Sequence, residues 1–265
     1  MKNRLWLVAA ALAMATSQVA GAQVSGAQVE LGCMQGEGGE WMNCAPTVGL
    51  MVTDENDRLI DLPGFDPLSM LVQDGKNFSV NGYNYQTGAF SLFLSLTSNP
   101  DPFVTYGLAV TNNTNAALNF LFTFSSPYIG GAYSAISSSH SSSFTRSGTT
   151  NSLINPYMGS HIHRPFVDGF DVNGAFIATS CVVNTPPASG SCTYPDIMGL
   201  PYVTAATGVF GVRVGFTLPA NASRLVYTAN GVVELGVVPE PSAVLLFAAG
   251  LFVMSLVVIQ RRRAV

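Results

Sequence analysis

Short runs in which apolar side chains recur at every second position are the most constraining feature of this sequence. In the run 117–125, ALNFLFTFS, the even-numbered residues from 118 to 124 are all Leu or Phe. Successive side chains of a β-strand point to opposite faces of its sheet, so a period of two predicts a strand with one buried face. The run 103–111, FVTYGLAVT, precedes it, and the turn-rich residues 112–115 lie between them. We therefore predict that these two runs pair as a β-hairpin.

Similar runs occupy six further segments, each bounded by Gly, Pro, Asn or Ser: 78–85, 90–97, 166–172, 176–183, 209–218 and 224–235. No amphipathic pattern long enough for a helix occurs between residues 23 and 238. About ten strands at this spacing predict an all-β fold, an antiparallel two-layer β-sandwich. The Ser- and Thr-rich segment 134–150 is predicted either as a flexible loop or as a polar strand at a sheet edge.

The first 22 residues have the features of a secretory signal peptide. Lys2 and Arg4 form a positive region, residues 5–15 are apolar, and Ala20-Gly21-Ala22 provides small residues for cleavage. This order predicts export, with removal before Gln23.

The last 27 residues combine a Pro-Glu-Pro triplet, an apolar run and a basic cluster. Residues 243–259 are uncharged, and as a helix they would extend about 26 Å, close to the ~30 Å hydrocarbon core of a bilayer. The cluster Arg261-Arg262-Arg263 follows at once, and a basic cluster beside a membrane span stays cytoplasmic. We therefore predict one C-terminal transmembrane helix, with residues 23–238 forming an extracellular domain.

This tripartite order, Pro239-Glu240-Pro241, then a hydrophobic helix, then the Arg cluster, closely resembles the PEP-CTERM sorting signal. The resemblance implies a Gram-negative host that makes extracellular polysaccharide, and a partner enzyme of the exosortase type, a membrane transpeptidase that processes the signal. It also implies that the triplet is the recognition and cleavage region, and that the span holds an inner-membrane precursor until processing. On this resemblance the chain is the substrate of the transpeptidase and finally reaches the cell surface or extracellular matrix.

The four cysteines form two pairs with the same separation, Cys33 with Cys44 and Cys181 with Cys192. An even number of cysteines in an exported chain favours disulfides. Four cysteines allow three connectivities, and the repeated spacing favours the two local bridges, Cys33–Cys44 and Cys181–Cys192. A zinc site is disfavoured because structural zinc ligands are usually two to four residues apart within a pair.

Charge excludes one large class of partner. Residues 23–238 contain fourteen Asp and Glu and six Lys and Arg, a net charge of −8. Because binding to nucleic acid requires clustered Lys and Arg, we predict no nucleic-acid partner. Elsewhere the polar residues are mostly Ser, Thr, Asn and Gly, as in a secreted β protein.

Candidate sites for chemistry are few. His161 and His163 would share one face of a strand, as a metal site requires, yet no further ligand follows at suitable spacing, so we expect ordinary surface or loop histidines. An acidic segment contains weak calcium candidates, Asp54, Asp57 and Asp61, without the register of an EF-hand. We predict no cofactor, and a solvated acidic loop.

Two functions remain open. The first is a non-enzymatic surface or matrix protein associated with exopolysaccharide or biofilm. The alternative is a secreted glycosidase-like hydrolase on the sandwich, for which paired carboxylates would come from Glu37, Glu40, Asp168 and Asp171. Several tyrosines near polar turns would suit sugar stacking, although most are expected to pack in the core: Tyr83, Tyr85, Tyr128, Tyr133 and Tyr157.

Overall fold

A computed structural model gives the architecture of the chain. It describes residues 34–35, 41–42, 44–100, 102–128, 133–145, 152–183, 189–204, 208–220 and 225–236. Within these ranges the chain forms strands and two short 3₁₀ helices, Pro67–Met70 and Asn173–Ala175. The strands are β1 (Met34–Gln35), β2 (Trp41–Met42), β3 (Thr47–Asp54), β4 (Leu71–Asp74), β5 (Asn77–Gln86), β6 (Phe90–Asn99), β7 (Phe103–Asn112), β8 (Leu118–Tyr128), β9 (Ala135–Thr145), β10 (Ser152–Pro156), β11 (His163–Val167), β12 (Phe170–Asp171), β13 (Cys181–Val183), β14 (Ser189–Thr193), β15 (Ile197–Pro201), β16 (Gly208–Leu218) and β17 (Val226–Gly236).

The strands form two antiparallel sheets, apart from the small β1–β2 pair. In sheet I, β8 lies between β3 and β16. The other side of β16 pairs with β11 over one part of its length and with β10 over another. Strand β12 then pairs with β11, and β13 pairs with β10. In sheet II the order is β4-β5-β6-β7-β17-β9, and β14 and β15 follow one another along the far edge of β9. The predicted all-β fold is confirmed, with more strands than the ten expected from sequence.

The two sheets pack face to face through aromatic side chains. Tyr106 of β7 stacks on Phe124 of β8 with ring centroids 5.0 Å apart, and Phe216 of β16 meets Tyr227 of β17 at 4.7 Å. Burial of such rings is the dominant favourable term in forming a core of this kind. The architecture fits the predicted two-layer β-sandwich.

The predicted hairpin between the runs 103–111 and 117–125 is wrong. The runs do form β7 and β8, but β7 pairs with β6 and β17 in sheet II, whereas β8 pairs with β3 and β16 in sheet I. The connection therefore crosses from one sheet to the other, and the Asn112 side-chain amide donates to the carbonyl groups of Ala116 (2.8 Å) and Pro219 (2.9 Å). A period of two shows that a strand has one buried face, but it does not show which sheet supplies the neighbours.

Two other predicted runs differ from the observed strands. Residues 166–172 form the β11–β12 hairpin rather than one strand, because Asp168 and Gly169 both adopt positive φ values, 50° and 83°, as a tight two-residue turn requires. Of residues 176–183, only those from Cys181 onward lie in a strand, β13.

In the Ser- and Thr-rich segment, the described residues 135–145 form neither a loop nor a sheet edge. Residues 135–145 form β9, which pairs along its whole length with β17 and on its other side with β14 and β15. Its inner face is anchored at the two ends by Ile136 and Phe144, both buried. Full backbone pairing on two sides satisfies the amide groups of the strand, so its polar side chains do not prevent it from entering the sheet.

The Cys181–Cys192 disulfide predicted from spacing is confirmed, with Cα atoms 5.8 Å apart. It joins β13, which belongs to sheet I through β10, to β14, which belongs to sheet II through β9. The bridge therefore connects the two layers covalently. Cys44 is also disulfide-bonded, but Cys33 lies outside the described residues, so the Cys33–Cys44 pairing stays a prediction.

The predicted signal peptide (1–22) and the predicted sorting signal (239–265), with Pro239, Glu240, Pro241 and the Arg261–Arg263 cluster, lie outside the described residues and stay predictions. Within the described part of the chain, no helix has the length and apolar character needed to cross a bilayer.

Candidate functional site: a buried histidine cluster

Two histidines and a tyrosine meet in the core between the sheets. Tyr106 of β7 and His140 of β9 come from sheet II, and His163 of β11 comes from sheet I. The Tyr106 hydroxyl lies 2.8 Å from Nδ1 of His140 and 2.8 Å from Nδ1 of His163. Because a phenol has one proton, it donates to one ring and accepts from the N–H of the other, so the two rings hold different tautomers.

Ser138 completes the cluster on the far side of His163. Its Oγ lies 2.8 Å from His163 Nε2, so both nitrogens of this ring are hydrogen-bonded. His140 differs, since its Nε2 is buried and has no hydrogen-bond partner in the described part of the chain. The two imidazole rings lie 5.3 Å apart between centroids, and the Tyr194 ring lies 5.7 Å from His140.

Burial keeps both histidines neutral. Desolvation lowers the pKa of His140 to about 4. Desolvation, and then the proximity of His140, lowers the pKa of His163 well below its ordinary value. Desolvation raises the pKa of Tyr106 well above its ordinary value. No carboxylate of the described residues hydrogen-bonds to either ring, so no nearby negative charge offsets these effects.

The contacts Ser138–His163–Tyr106 have the order of a nucleophile, a base and an orienting group. Burial prevents that use, because Ser138 is 2% exposed, His163 0% and Tyr106 4%, and a nucleophile must reach its substrate. What the arrangement achieves chemically is to give partners to Ser138 Oγ and His140 Nδ1, two of the polar groups that β9 places in the core, while His140 Nε2 and Ser142 Oγ have no hydrogen-bond partner among the described residues.

This cluster was missed by the sequence reading. The expectation that His161 and His163 are surface or loop residues is wrong for His163, which is fully buried. His161 precedes β11, is partly exposed, and its Nδ1 lies 2.8 Å from Ser160 Oγ. His140 lies in the segment that was predicted as a loop or an edge. In a strand, residues an even number of positions apart share a face, and only this relation to Ile136 and Phe144 could have placed His140 on an inner face.

The weak calcium candidates make local contacts of their own in the structure. Asp54 Oδ1 accepts the backbone N–H groups of Arg58 (2.9 Å) and Asn56 (2.8 Å), and these hydrogen bonds, that of Arg58 first, lower its pKa. Asp57 accepts a hydrogen bond from the Tyr157 hydroxyl at 3.3 Å, and Asp61 lies on the rim of a surface depression with Tyr85. No group of three or more metal-binding side chains occurs among the residues that the structure describes.

The two described carboxylates proposed for hydrolysis are engaged in structural contacts. Asp168 accepts hydrogen bonds from the Val209 backbone N–H (2.9 Å) and the Tyr128 hydroxyl (3.2 Å). Asp171 lies between Arg164, at 3.3 Å, and Arg213, which bonds its other oxygen. Glu37 and Glu40 lie outside the described residues.

The predicted sugar-stacking tyrosines are mostly packing residues. Tyr83 and Tyr128 are buried, the Tyr85 hydroxyl donates to the Pro63 carbonyl (3.0 Å), and Tyr133 packs edge-on against Tyr128. The ring of Tyr128 is so enclosed that desolvation, with the charge of Asp168 second, raises its pKa to about 12.

Comparison with known proteins leaves the family open. No protein-family model matches the chain, and no curated protein matches it. Among solved structures, a chain described as "Structure of infectious bursal disease virus Gx strain" is 14% identical, and the match covers 76% of this chain and 53% of that one, about half of its length, with a TM-score of 0.17. A likeness this weak carries no argument about fold or function.

Proposed function

We propose that this chain is an exported, non-enzymatic cell-surface or extracellular-matrix protein, associated with exopolysaccharide and delivered through its PEP-CTERM-like C-terminal signal. The signal peptide, residues 1–22, directs export, and residues 239–265 retain the precursor at the inner membrane until an exosortase-type transpeptidase processes it. The domain that is delivered is the β-sandwich within residues 23–238.

The observation that carries the export step is the Cys181–Cys192 disulfide between the two sheets. No free cysteine occurs in the described part of the chain, and Cys44 is also disulfide-bonded. Disulfides persist in oxidising compartments such as the periplasm and the cell exterior, and they are rare in the cytosol. A sandwich whose layers are joined by such a bond is therefore suited to life outside the cytoplasm.

The non-enzymatic character is supported by how the reactive groups are used. Asp168 and Asp171 bind neighbouring structural groups, and the serine, histidine and tyrosine that have a catalytic order are enclosed in the core. A glycosidase needs two carboxylates facing one another across a substrate cleft. Release of reducing sugar ends by the purified protein, lost in Asp168→Asn or Asp171→Asn, would contradict this part of the proposal.

Mass spectrometry of the protein from the cell-surface fraction tests the sorting step. We expect mature molecules that lack residues 243–265, in a host that has the transpeptidase. Replacing Pro239, Glu240 and Pro241 together by Ala should trap a full-length, membrane-bound precursor, because the triplet presents the extended backbone that the enzyme would grip. Two controls fix the interpretation: truncation after Val238 should release soluble domain, and a host without the transpeptidase should retain the precursor. An intact Arg261–Arg263 terminus on most surface molecules would refute the processing step.

A further inference from the structure

The outer face of sheet II is built almost entirely from uncharged side chains. Here the name "hydroxyl face" denotes the outward residues of the five neighbouring strands β6, β7, β17, β9 and β14. On β14, and on β9 from residue 137 onward, every one of them is Ser or Thr: Ser137, Ser139, Ser141, Ser143, Thr145, Ser189, Ser191 and Thr193. On the other three strands, Ser, Thr, Asn, Gly, Ala and a few apolar side chains take these positions, and Glu234 is the one charged residue among them.

Strand register arranges these groups in rows across the sheet. One row runs Ser191, Ser143, Thr228, Ala109 and Phe93 from β14 to β6. The next runs Thr193, Ser141, Asn230, Gly107 and Ser95. At about 4.8 Å between neighbouring strands, the five strands give rows roughly 19 Å long. Each hydroxyl offers a donor and two acceptor sites, so the Ser, Thr and Asn side chains of a row, most of them on β14, β9 and β17, are adaptable hydrogen-bonding groups. The hydroxyls of Ser143 and Thr228 also bond each other.

The outer face of sheet I has a different chemistry. There Arg213 lies 4.4 Å over the Phe166 ring and bonds Asp171, which also bonds Arg164. Those charged groups pair with one another. The backbone carbonyl of Tyr157 lies over the outer face of Gly215. The hydroxyl face is therefore a property of one sheet, not a general consequence of the low charge of the chain.

The side-chain composition of the hydroxyl face limits the class of partner that it can bind. Interfaces between proteins are enriched in aromatic residues, Met and Arg and depleted in Ser, the reverse of what is found here. Nucleic acids and anionic membranes require clustered basic residues, which the hydroxyl face lacks. A neutral polysaccharide carries no charge to pair and presents many hydroxyl groups. The ring of Phe93, 43% exposed at one end of a row, adds an apolar surface for the C–H groups of a sugar.

We infer that the hydroxyl face binds a neutral polysaccharide chain laid along its rows. The inference rests on the proposed function, since it names the surface by which the exported protein associates with exopolysaccharide. Binding is spread over many weak hydrogen bonds, so affinity depends on the length of the polymer. The tyrosines near the polar turns take no part.

Affinity electrophoresis of the full chain tests the inference, in native gels that contain dextran, hydroxyethyl cellulose or galactomannan, with anionic alginate for comparison. We expect retardation by at least one neutral polymer and none by alginate. The triple variant Ser139→Ala, Ser141→Ala and Ser143→Ala should weaken retardation at least fivefold, as should Phe93→Ala. Thr123→Ala, on the outer face of sheet I, is the matched control and should migrate as the wild type, with unchanged melting temperatures confirming that all variants fold.

Several outcomes would overturn the inference. Migration unaffected by all three neutral polymers would do so, as would equal loss of binding in the Thr123→Ala control. If sedimentation showed a dimer that the triple variant dissociates, while no neutral polymer retards the wild type, the occupant would be a second copy of the chain. Because processing at Pro239-Glu240-Pro241 is measured separately by mass spectrometry, failure of polysaccharide binding and failure of the sorting step are distinguishable.

Discussion

The central strands β8 and β9 follow one another in the chain and have the same length of 11 residues, yet their inner faces are built from opposite chemistry. The middle of β8 presents Phe120, Phe122 and Phe124, which are fully buried and stack on one another. The middle of β9 presents Ser138, His140 and Ser142, which are nearly as well buried. A sandwich core therefore tolerates a polar strand for which sheet I and β7 of sheet II supply partners to Ser138 and His140 Nδ1, although His140 Nε2 and Ser142 Oγ have none among the described residues.

The inner faces of β8 and β9 differ in how their contribution to stability depends on pH. Dispersion and hydrophobic contacts in β8 do not change with pH, whereas the β9 centre is stable only while His140 and His163 remain neutral.

The largest loss of stability is expected from a substitution in the aromatic inner face of β8. Phe122 is 0% exposed and its ring stacks on Phe120, Phe124 and Phe216. Phe122→Ala should lower the free energy of unfolding by about 3–5 kcal/mol, because a large cavity remains between the sheets. Denaturant unfolding measures it, and Phe93→Ala, on an outer face, should cost far less. A loss below about 1 kcal/mol for Phe122→Ala would mean that the aromatic stack is not the centre of the core.

The polar centre of β9 should make the free energy of unfolding sensitive to acid. Desolvation lowers the pKa of His140 from its ordinary value of 6.5 to about 4 in the folded protein, so the unfolded chain binds the proton more readily. The contribution of neutral His140 to the free energy of unfolding is thus fully present above pH 6.5 and is lost as the pH falls toward 4. The loss for this residue is on the order of 3 kcal/mol. Unfolding free energies measured between pH 8 and 4 provide the check.

His140→Leu is the matched variant for that experiment. It removes the unpartnered Nε2, while Tyr106 keeps its hydrogen bond to His163, so stability at pH 8 should change little. The acid dependence should lose the share due to His140 and keep the share due to His163, whose pKa is lowered mainly by desolvation. His163→Leu should instead cost about 1–3 kcal/mol at pH 8, since it leaves Ser138 without its partner in the core. Equal effects of the two variants at pH 8 would contradict the assignment of partners.

The bridge between the layers predicts an effect of intermediate size. Cys192 pairs with Ser142 of β9 across the sheet, and Cys181 is fully buried, so the disulfide ties the polar strand's edge to sheet I. Replacing both cysteines by Ser should lower the free energy of unfolding by about 2–3 kcal/mol in the chain-entropy model. Non-reducing peptide mapping should also give this pair and the predicted Cys33–Cys44 pair. Crossed pairs in native material would rule out the local connectivity.

Outer-face substitutions should have the smallest effect on stability. Ser141→Ala on β9 and Thr123→Ala on β8 both change a side chain that faces away from the core. Each should alter the free energy of unfolding by no more than about 0.5 kcal/mol. A larger loss for Ser141→Ala would show that its hydroxyl supports the fold, and would change the interpretation of the polysaccharide-binding test.

Sequence reasoning succeeded where local pattern and physics coincide. The alternation in β5, β6, β7, β8, β16 and β17 identified these strands, because each has an apolar face that must be buried. The equal cysteine spacing identified the Cys181–Cys192 bridge, because a local disulfide closes a short loop. The sorting triplet and Arg cluster remain predictions from the sequence.

It failed where partners are distant in the chain. The centre of β9 is not apolar, so its inner face is recognisable only from its hydrogen-bond partners. Tyr106 lies 34 residues before His140, and His163 lies 25 residues after Ser138. The placement of β7 and β8 in different sheets depends in the same way on β17 and β16, the strands nearest the end of the described chain.

The sequence alone determined that this chain is all-β, that its faces alternate, and that its ends resemble signals for export and sorting, because each of these is written in the spacing of neighbouring residues. The three-dimensional arrangement was needed to show which strands share a sheet, why the Ser-rich segment forms a central strand, and that its outward hydroxyls lie in rows with those of β17 and β14. Those features arise from register between segments far apart in the chain, and no local pattern contains that information.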